Sequence, residues 1–553
     1  MGLLLFFAVA ALALTWPLGQ QLDDGIPLGT ESVATVPLFN LWTLAWNVES
    51  ARHGYAGYWQ APIFHPTTDA FALSEPQPLT GLVALALTSS GVSILESYNL
   101  ILLGALALNG FFASALLRLL GMAWLPSVAG GSLVLVLPFT HQEWGVLQLV
   151  PLLGVLLFGI AVVRFAKIPG LLSGLALGAS LAVAYGLGGQ VAVFCALATA
   201  PGILWFLWPR LCERETWAGL MAGGALFLLL ISPLVVVQKR ATDDAGFSRS
   251  IETLRKQSAQ PSHYLKSPWP QWVPTPGITT AERPSSRAFW PGSLRVLLAL
   301  GGLAMAWSSP TWRRPAIACA VVLLSSLLWS LGAHLAIGNL ALVDVTRSIP
   351  GLAQIRSFFR FALFAQLAIA GLAAGALQLL QERWQTQGSN SRATALVAGL
   401  ALFAVLEMRP VPGPIAPLPP LDLELPWLEW IEGNTKVDEA LAFVPFPEGR
   451  STRDYLGTSQ WMYWQLRHWR PMVNGYSGFF PAKFQKLKKT MEGFPSNASL
   501  LALHEAGVRY CVVHRQVIER SPAPDPNGPI QLVPQFQDEE HGLAIFELRN
   551  DPV

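Results

Sequence analysis

The chain has 553 residues, of which 52% are hydrophobic and only 13% charged, about half the charge a soluble globular protein carries. With 36 Lys and Arg against 34 Asp and Glu, a net charge of +2 and a mean hydropathy of +0.43, a water-covered globule, a disordered chain and a nucleic-acid partner are all excluded. Four cysteines in so long a chain exclude a disulfide scaffold. What remains is a polytopic membrane protein.

From Met1 to Val235 the only basic residues are Arg52, Arg118, Arg164, Lys167, Arg210 and Arg214. Long apolar runs with isolated basic punctuation predict transmembrane helices joined by short loops. About eleven are expected, near 1–16, 96–117, 123–139, 146–163, 170–187, 190–208, 216–237, 295–308, 315–332, 359–380 and 394–408. The first lacks the basic flank of a signal peptide and reads as an uncleaved span. The stretch Gln77 to Gly91 is too short to cross and predicts a half-buried or re-entrant helix. Under this layout the loops at Arg118, at Arg164 and Lys167, at Arg210 and Arg214, at Arg313 and Arg314, and at Arg383 and Arg392 fall on one side. By the positive-inside rule that side is the cytoplasm. The N-terminus is then cytoplasmic, and residues 17–95, 238–294 and 333–357 form outer loops.

Beyond residue 409 the composition changes. A Pro-rich linker, Val411 to Pro420, leads into a tail with strand-like patterns at 437–445, 508–514 and 543–548 and a helical one at 484–492. The tail, 410–553, is expected to be a small extramembrane α/β domain following the membrane domain 1–409. Cys511 stands alone in it.

Three stretches hold candidate chemistry. In the first outer loop Trp42 and Trp46, four residues apart, suit a helix lying flat at the interface, where they serve as anchors or as platforms for a sugar ring. Glu75, between Ser74 and Pro76 at a helix start, is either a general base of raised proton affinity or a carboxylate satisfying helix amides. Asn40, His65, Asp69, His141 and Gln142 are expected to line the acceptor or sugar side of a shared cavity. His65 and Asp69 alone give two ligands in a loop, which does not support a divalent metal. The second outer segment is basic, with Arg255, Lys256 and Lys266 among its cations: a solvated loop or a cradle for an anionic headgroup. The third stretch, 348–361, carries Arg356 and Arg360 at i, i+4 spacing, expected on one helix face at the outer mouth of a span.

Together PLFNLWTLAWN (37–47), PIFHPTTDAFALSEPQPLTG (62–81), YNLILLGALALNGFFASALLRLLG (98–121), IPGLAQIRSFFRF (349–361), RPMVNGYSGFFP (470–481) and LLALHEAGVRYCVVH (500–514) resemble the GT-C superfamily of integral-membrane glycosyltransferases. They are most similar to its bacterial multi-pass branch with a periplasmic tail. The resemblance implies a GT-C-like membrane domain in the bacterial inner (cytoplasmic) membrane with the tail periplasmic. Its implied partners are membrane lipids, a polyprenyl-phosphate-linked sugar as donor and a glycan, lipid or protein acceptor; no cofactor follows from it. An acidic residue of the first outer loop would be the base, and Arg356 and Arg360, with Arg255 and Lys256, would hold the donor phosphate. The branch usually carries an acid directly before the Pro-Leu-x-Asn-x-Trp element; here that residue is Val36, and Glu31 is the nearest acid upstream. Either Glu31 or Glu75 substitutes, or the chain is a catalytically degenerate scaffold that binds lipid-linked sugar. A transporter or flippase of lipid-linked sugars is a third reading, disfavoured because the spans are almost free of charge.

Overall fold

The computed structural model describes residues 1–244, 250–272, 274–282, 285–337, 340–344, 355–386 and 390–550. Arg249, Arg283 and the whole of 348–354 lie outside them. In chain order the helices are α1 (Gly2–Leu14), α2 (Thr35–Arg52), α3 (Pro78–Ser89), α4 (Ile94–Leu119), α5 (Trp124–Leu135), α6 (Pro138–Gln142), α7 (Leu153–Lys167), α8 (Leu171–Leu187), α9 (Gly189–Leu207), α10 (Arg214–Asp244), α11 (Ile251–Lys256), α12 (Ser293–Met305) and α13 (Pro310–Leu331). The helices Ala362–Gln385 and Asn390–Leu406 follow.

Among the described residues seven helical stretches are long and apolar enough to cross a membrane: Ile94–Leu119, Trp124–Gln142, Leu147–Lys167, Gly189–Arg210, Arg214–Asp243, Pro310–His334 and Phe358–Gln385. The other four expected positions hold shorter apolar helices, at Gly2–Leu14, Leu171–Leu187, Ser293–Ser308 and Ser391–Leu406. Helices therefore occupy all eleven positions, but at 1.5 Å per residue only seven reach across by length alone. The re-entrant candidate is α3, whose 12 residues make a helix about half a bilayer long.

Central and peripheral helices differ in what covers them. Within the most apolar window 78% of Trp124–Gln142 is buried, against 11% of Arg214–Asp243. Leu228, Leu229, Leu230 and Val236 of α10 are exposed, a surface that needs lipid around it. α10 is held by backbone approach instead. A Cβ at Gly174 of α8 would run into the Gly219 carbonyl of α10, and one at Gly178 into that of Gly223. Two facing small-x-x-x-small motifs give this contact, the route to association open to helices that hydrophobicity cannot drive together in lipid.

The first outer segment does not lie along an interface. Thirteen of the 18 residues of α2 are buried, and a helix covered on all sides is a core element, not an amphipathic one. Trp42 is fully enclosed and donates its indole N–H to Gln465 at 2.9 Å; Trp46 donates to the Tyr58 carbonyl at 2.9 Å. This corrects the expectation of a flat interfacial helix. What covers α2 is α3 and α4 together with the C-terminal part of the chain, through the helix Leu456–His468.

That part contains a four-stranded sheet in the spatial order Ala440–Val444, Val508–His514, Leu543–Arg549, Gln531–Asp538, with the first pair parallel and the others antiparallel. Three strands and the helix Ala482–Thr490 fall where the sequence pattern places them. The edge strand Gln531–Asp538 escapes the pattern because Pro534 interrupts it. Proline is tolerated there at an edge, beside a register shift opposite Ile545 and Phe546. The sheet does not close a core of its own. Phe443, Trp461, Cys511 and Ile545 share one cluster with Trp42, Phe64, Phe71 and Leu73 of the first outer segment, and Gly25–Pro27 pairs antiparallel with Ile415–Pro417.

Candidate active site

A cavity of about 580 Å³ lies where α2, the N-termini of α3 and α9, the end of α10, the segments 285–287 and 355–360 and the C-terminal sheet unit meet. Three carboxylates line it, Glu31, Glu75 and Glu143, and four guanidiniums, Arg287, Arg356, Arg360 and Arg450.

Glu31 stands in the loop before α2. Its amide donates to the Leu28 carbonyl at 3.0 Å and that of Thr30 to the Gln142 carbonyl at 2.9 Å. Gly145 lets this turn approach, since a Cβ there would strike the Leu28 carbonyl and come within 3.3 Å of the Glu31 side chain. Burial, then the nearby Glu143, raise the Glu31 pKa to about 7, with Arg360 and Arg356 pulling the other way. Val36 lines the same cavity.

Glu75 faces the start of α9. One oxygen accepts from the Gln190 amide at 3.2 Å, while the other is buried without a hydrogen-bond partner. Burial raises its proton affinity, and Arg360 and the 189–190 amides oppose. Glu75 thus meets orphan amides, but those of α9 and not of its own α3. Asn40 is held inward by its neighbours: its amide donates to the Val36 carbonyl at 3.0 Å and its oxygen accepts from Gln77 at 2.9 Å.

Arg356 and Arg360 converge on the cavity, but not from one helix face. Arg356 precedes a short 3-10 turn, Phe358–Phe361, that carries Arg360. Arg360 pairs with Glu143 at 3.7 Å and donates to Gln190, and its Nε is buried without a partner. Arg287 stacks on the Phe359 ring at 3.6 Å and donates to the Lys256 carbonyl and to Gln257; one of its terminal nitrogens is also buried and unpartnered. Burial and the adjacent Arg360 lower the proton affinity of Arg356. Arginine keeps its charge regardless, so the strain of like charges in a half-dry site favours a bound anion. Tyr476 closes the wall opposite, its phenol pushed up to about 12 by burial.

Other expected residues sit elsewhere. Arg255 and Lys256 do not line the cavity; Lys256 is exposed and pairs with Glu252 at 2.7 Å. Trp42 is core, and Trp46, half-buried, packs against it. His65 faces Gly507, and Asp69 is committed to Gln60 and to an ion pair with Arg240. His141 is half-buried, stacked on Trp144 and 2.9 Å from the Leu135 carbonyl, and Gln142 donates to the Ser285 carbonyl. Among the described residues no three His, Cys, Asp or Glu side chains group to hold a metal ion. Sequence reasoning missed Arg450 and Gln190 as cavity residues. Glu143 stands in the turn with His141 and Gln142, and Arg287 in the basic outer segment, both stretches that the sequence offers as cavity-lining or anion-holding. Arg450 had no signal, because nothing local ties the tail to the first loop.

No protein-family model matches the sequence, and no curated protein sequence does. Solved structures do match by shape. The arabinofuranosyltransferase AftD from Mycobacteria superposes with a TM-score of 0.57 at 14% identity, over 98% of this chain and 39% of that one. The oligosaccharyltransferase AglB from Archaeoglobus fulgidus, in complex with an inhibitory peptide and a dolichol-phosphate, gives 0.50 at 11% identity, over 94% and 69%. A second AglB structure, with Zn and sulfate, gives 0.51 at 10% identity, over 93% and 68%. The chain shares the fold of these solved structures. It spans about two fifths of AftD and about two thirds of AglB. In this fold the acids and guanidiniums gather at one end of the bundle, where the segments before α3 and after α10 meet the C-terminal unit, and the bundle core stays apolar.

Proposed function

We propose that the chain is a glycosyltransferase of the bacterial inner membrane. It moves a sugar from a polyprenyl-phosphate-linked donor to an acceptor at the periplasmic face. The observation that carries this reading is the single cavity holding Glu31, of near-neutral pKa, together with Arg287, Arg356 and Arg360. The dolichol-phosphate in the AglB structure supports the donor class, and the one-sided basic loops support the orientation.

On this reading Glu31 takes the proton of the acceptor hydroxyl as its oxygen attacks the anomeric carbon. The new C–O bond forms as the bond to the phosphate oxygen breaks, inverting the centre. The electron pair leaves with the polyprenyl phosphate, whose charge the guanidiniums stabilise. Glu75 holds the end of α9, and with it Gln190, which Arg360 contacts. Val36, standing where the resembling branch carries its acid, favours the second reading of a non-catalytic binder of lipid-linked sugar.

Transfer from a polyprenyl-phospho-sugar by the purified chain in nanodiscs decides between them. Glu31→Gln should lower kcat by about 10²–10⁴-fold and leave polyprenyl phosphate binding unchanged. The wild-type rate should rise with pH through about 7 and then level off, a limb absent from the variant. Donor binding without transfer at any pH would establish the binder.

A further inference from the structure

The cations of the C-terminal unit fall into two groups. Most of those around the sheet, Lys436 and Arg520 apart, are neutralised within the chain. Arg467 pairs with Glu432 at 2.7 Å, Arg509 and Arg549 both pair with Glu547, at 2.5 and 2.7 Å, and Arg515 pairs with Glu519 at 3.7 Å. Buried Arg470 is spent on the carbonyls of Glu432, Thr435 and His468. Those beside the cavity are not: among the described residues Arg450, Arg453, Lys483, Lys486, Lys488 and Lys489 have no carboxylate within 4.0 Å.

These six form a strip that begins in the cavity. Arg450 lines it. The Lys488 ammonium donates to the adjoining Gly449 carbonyl and lies 5.0 Å over the Tyr455 ring, which packs at 5.5 Å on Tyr476 of the cavity wall. The helix Ala482–Thr490 starts just after Phe480, another wall residue. It contains no acid and exposes Lys483, Lys486 and Lys489. Of the acids alongside, Glu448, Asp454 and Glu492, Asp454 is engaged by Ser451. No large apolar side chain between 438 and 500 is exposed, so the strip lacks the anchors that seat a basic helix in a membrane surface.

We infer that the acceptor is an anionic saccharide chain, bearing carboxylate or phosphate groups, that lies along this strip and enters the cavity past Arg450. The word acceptor rests on the glycosyltransferase reading; the ligand class rests on the strip alone. Unpaired cations leading into a site raise the local concentration of an anionic partner and fix its direction of approach.

The test uses the full chain in zwitterionic nanodiscs and two labelled probes of equal length, an oligouronate and a neutral dextran, read by fluorescence anisotropy. The oligouronate should bind more tightly than the dextran, and high salt should weaken it. Charge reversal, K483E/K486E/K489E, should weaken it at least about ten-fold without changing polyprenyl phosphate binding. The neutral K483Q/K486Q/K489Q should fall between. Equal binding of the two probes overturns the inference, as does an unaffected charge-reversed variant. Capture of phosphatidylglycerol vesicles without oligouronate binding overturns it in favour of a membrane contact. Because every readout is binding, a failure here is distinct from a failure of sugar transfer.

Discussion

Glu31 shows at the scale of one residue how a site sets a protonation state against stability. Its carboxyl is ordinary in the unfolded chain and raised to about 7 in the folded one. Between those values the folded state binds the extra proton, so stability falls as pH rises from about 4.5 to about 7 and stays lower above. The cost at pH 8 is about 3 kcal/mol. Glu31→Gln should therefore melt higher than wild type at pH 8, with the difference vanishing near pH 4. Thermal unfolding of both proteins across that range checks it, and an equal gap at every pH would mean burial is not the cause. The acids themselves were legible as candidates because charge is so scarce in this chain. Which of them shared a cavity was not, since Glu75 and Glu143 are recruited to α9 and to Arg360 by contacts remote in sequence.

At the scale of elements the helix positions were legible, because a run of Leu, Ala and Val has no other way to satisfy its backbone in lipid. Their partners were not. The α8–α10 contact depends on glycines that hydropathy treats as neutral. Gly178→Leu should separate α8 from α10, displacing Gln238 from the cavity and Arg240 from Asp69. We expect a stability loss of about 1–3 kcal/mol and reduced transfer. Gly224, one residue beyond Gly223, has open space around its Cβ position, so Gly224→Ala should be neutral or slightly stabilising through helix propensity. Melting temperatures in detergent compare the two directly. The i, i+4 spacing of Arg356 and Arg360 misled for a related reason. Periodicity assumes a helix, and the chain is not yet helical at Arg356, yet a tight turn brings both to the same cavity.

For the whole molecule, the change in composition after residue 409 marks a real shift in chemistry but not in packing. The sheet and the first outer segment bury each other, and the Tyr476 and Arg450 walls of the cavity belong to the tail. A chain ending at Arg409 would leave Trp42, Phe71 and Leu73 uncovered. We expect it to aggregate in size-exclusion profiles where the full chain is monodisperse; a monodisperse truncated protein would show the membrane part to be self-sufficient. Long-range pairing of this kind leaves no local mark in a sequence, which explains why the tail reads as separable.

The indole of Trp42 finds its acceptor 423 residues later in the chain. At ribosomal speeds of about 5–20 residues per second, roughly 20–85 seconds pass between the emergence of one and of the other. During that interval α2 has α3 and α4 to pack on but lacks the helix Leu456–His468, while the spans behind it are already being made. The nascent protein thus completes the walls of its cavity only after the C-terminal sheet unit has been synthesised.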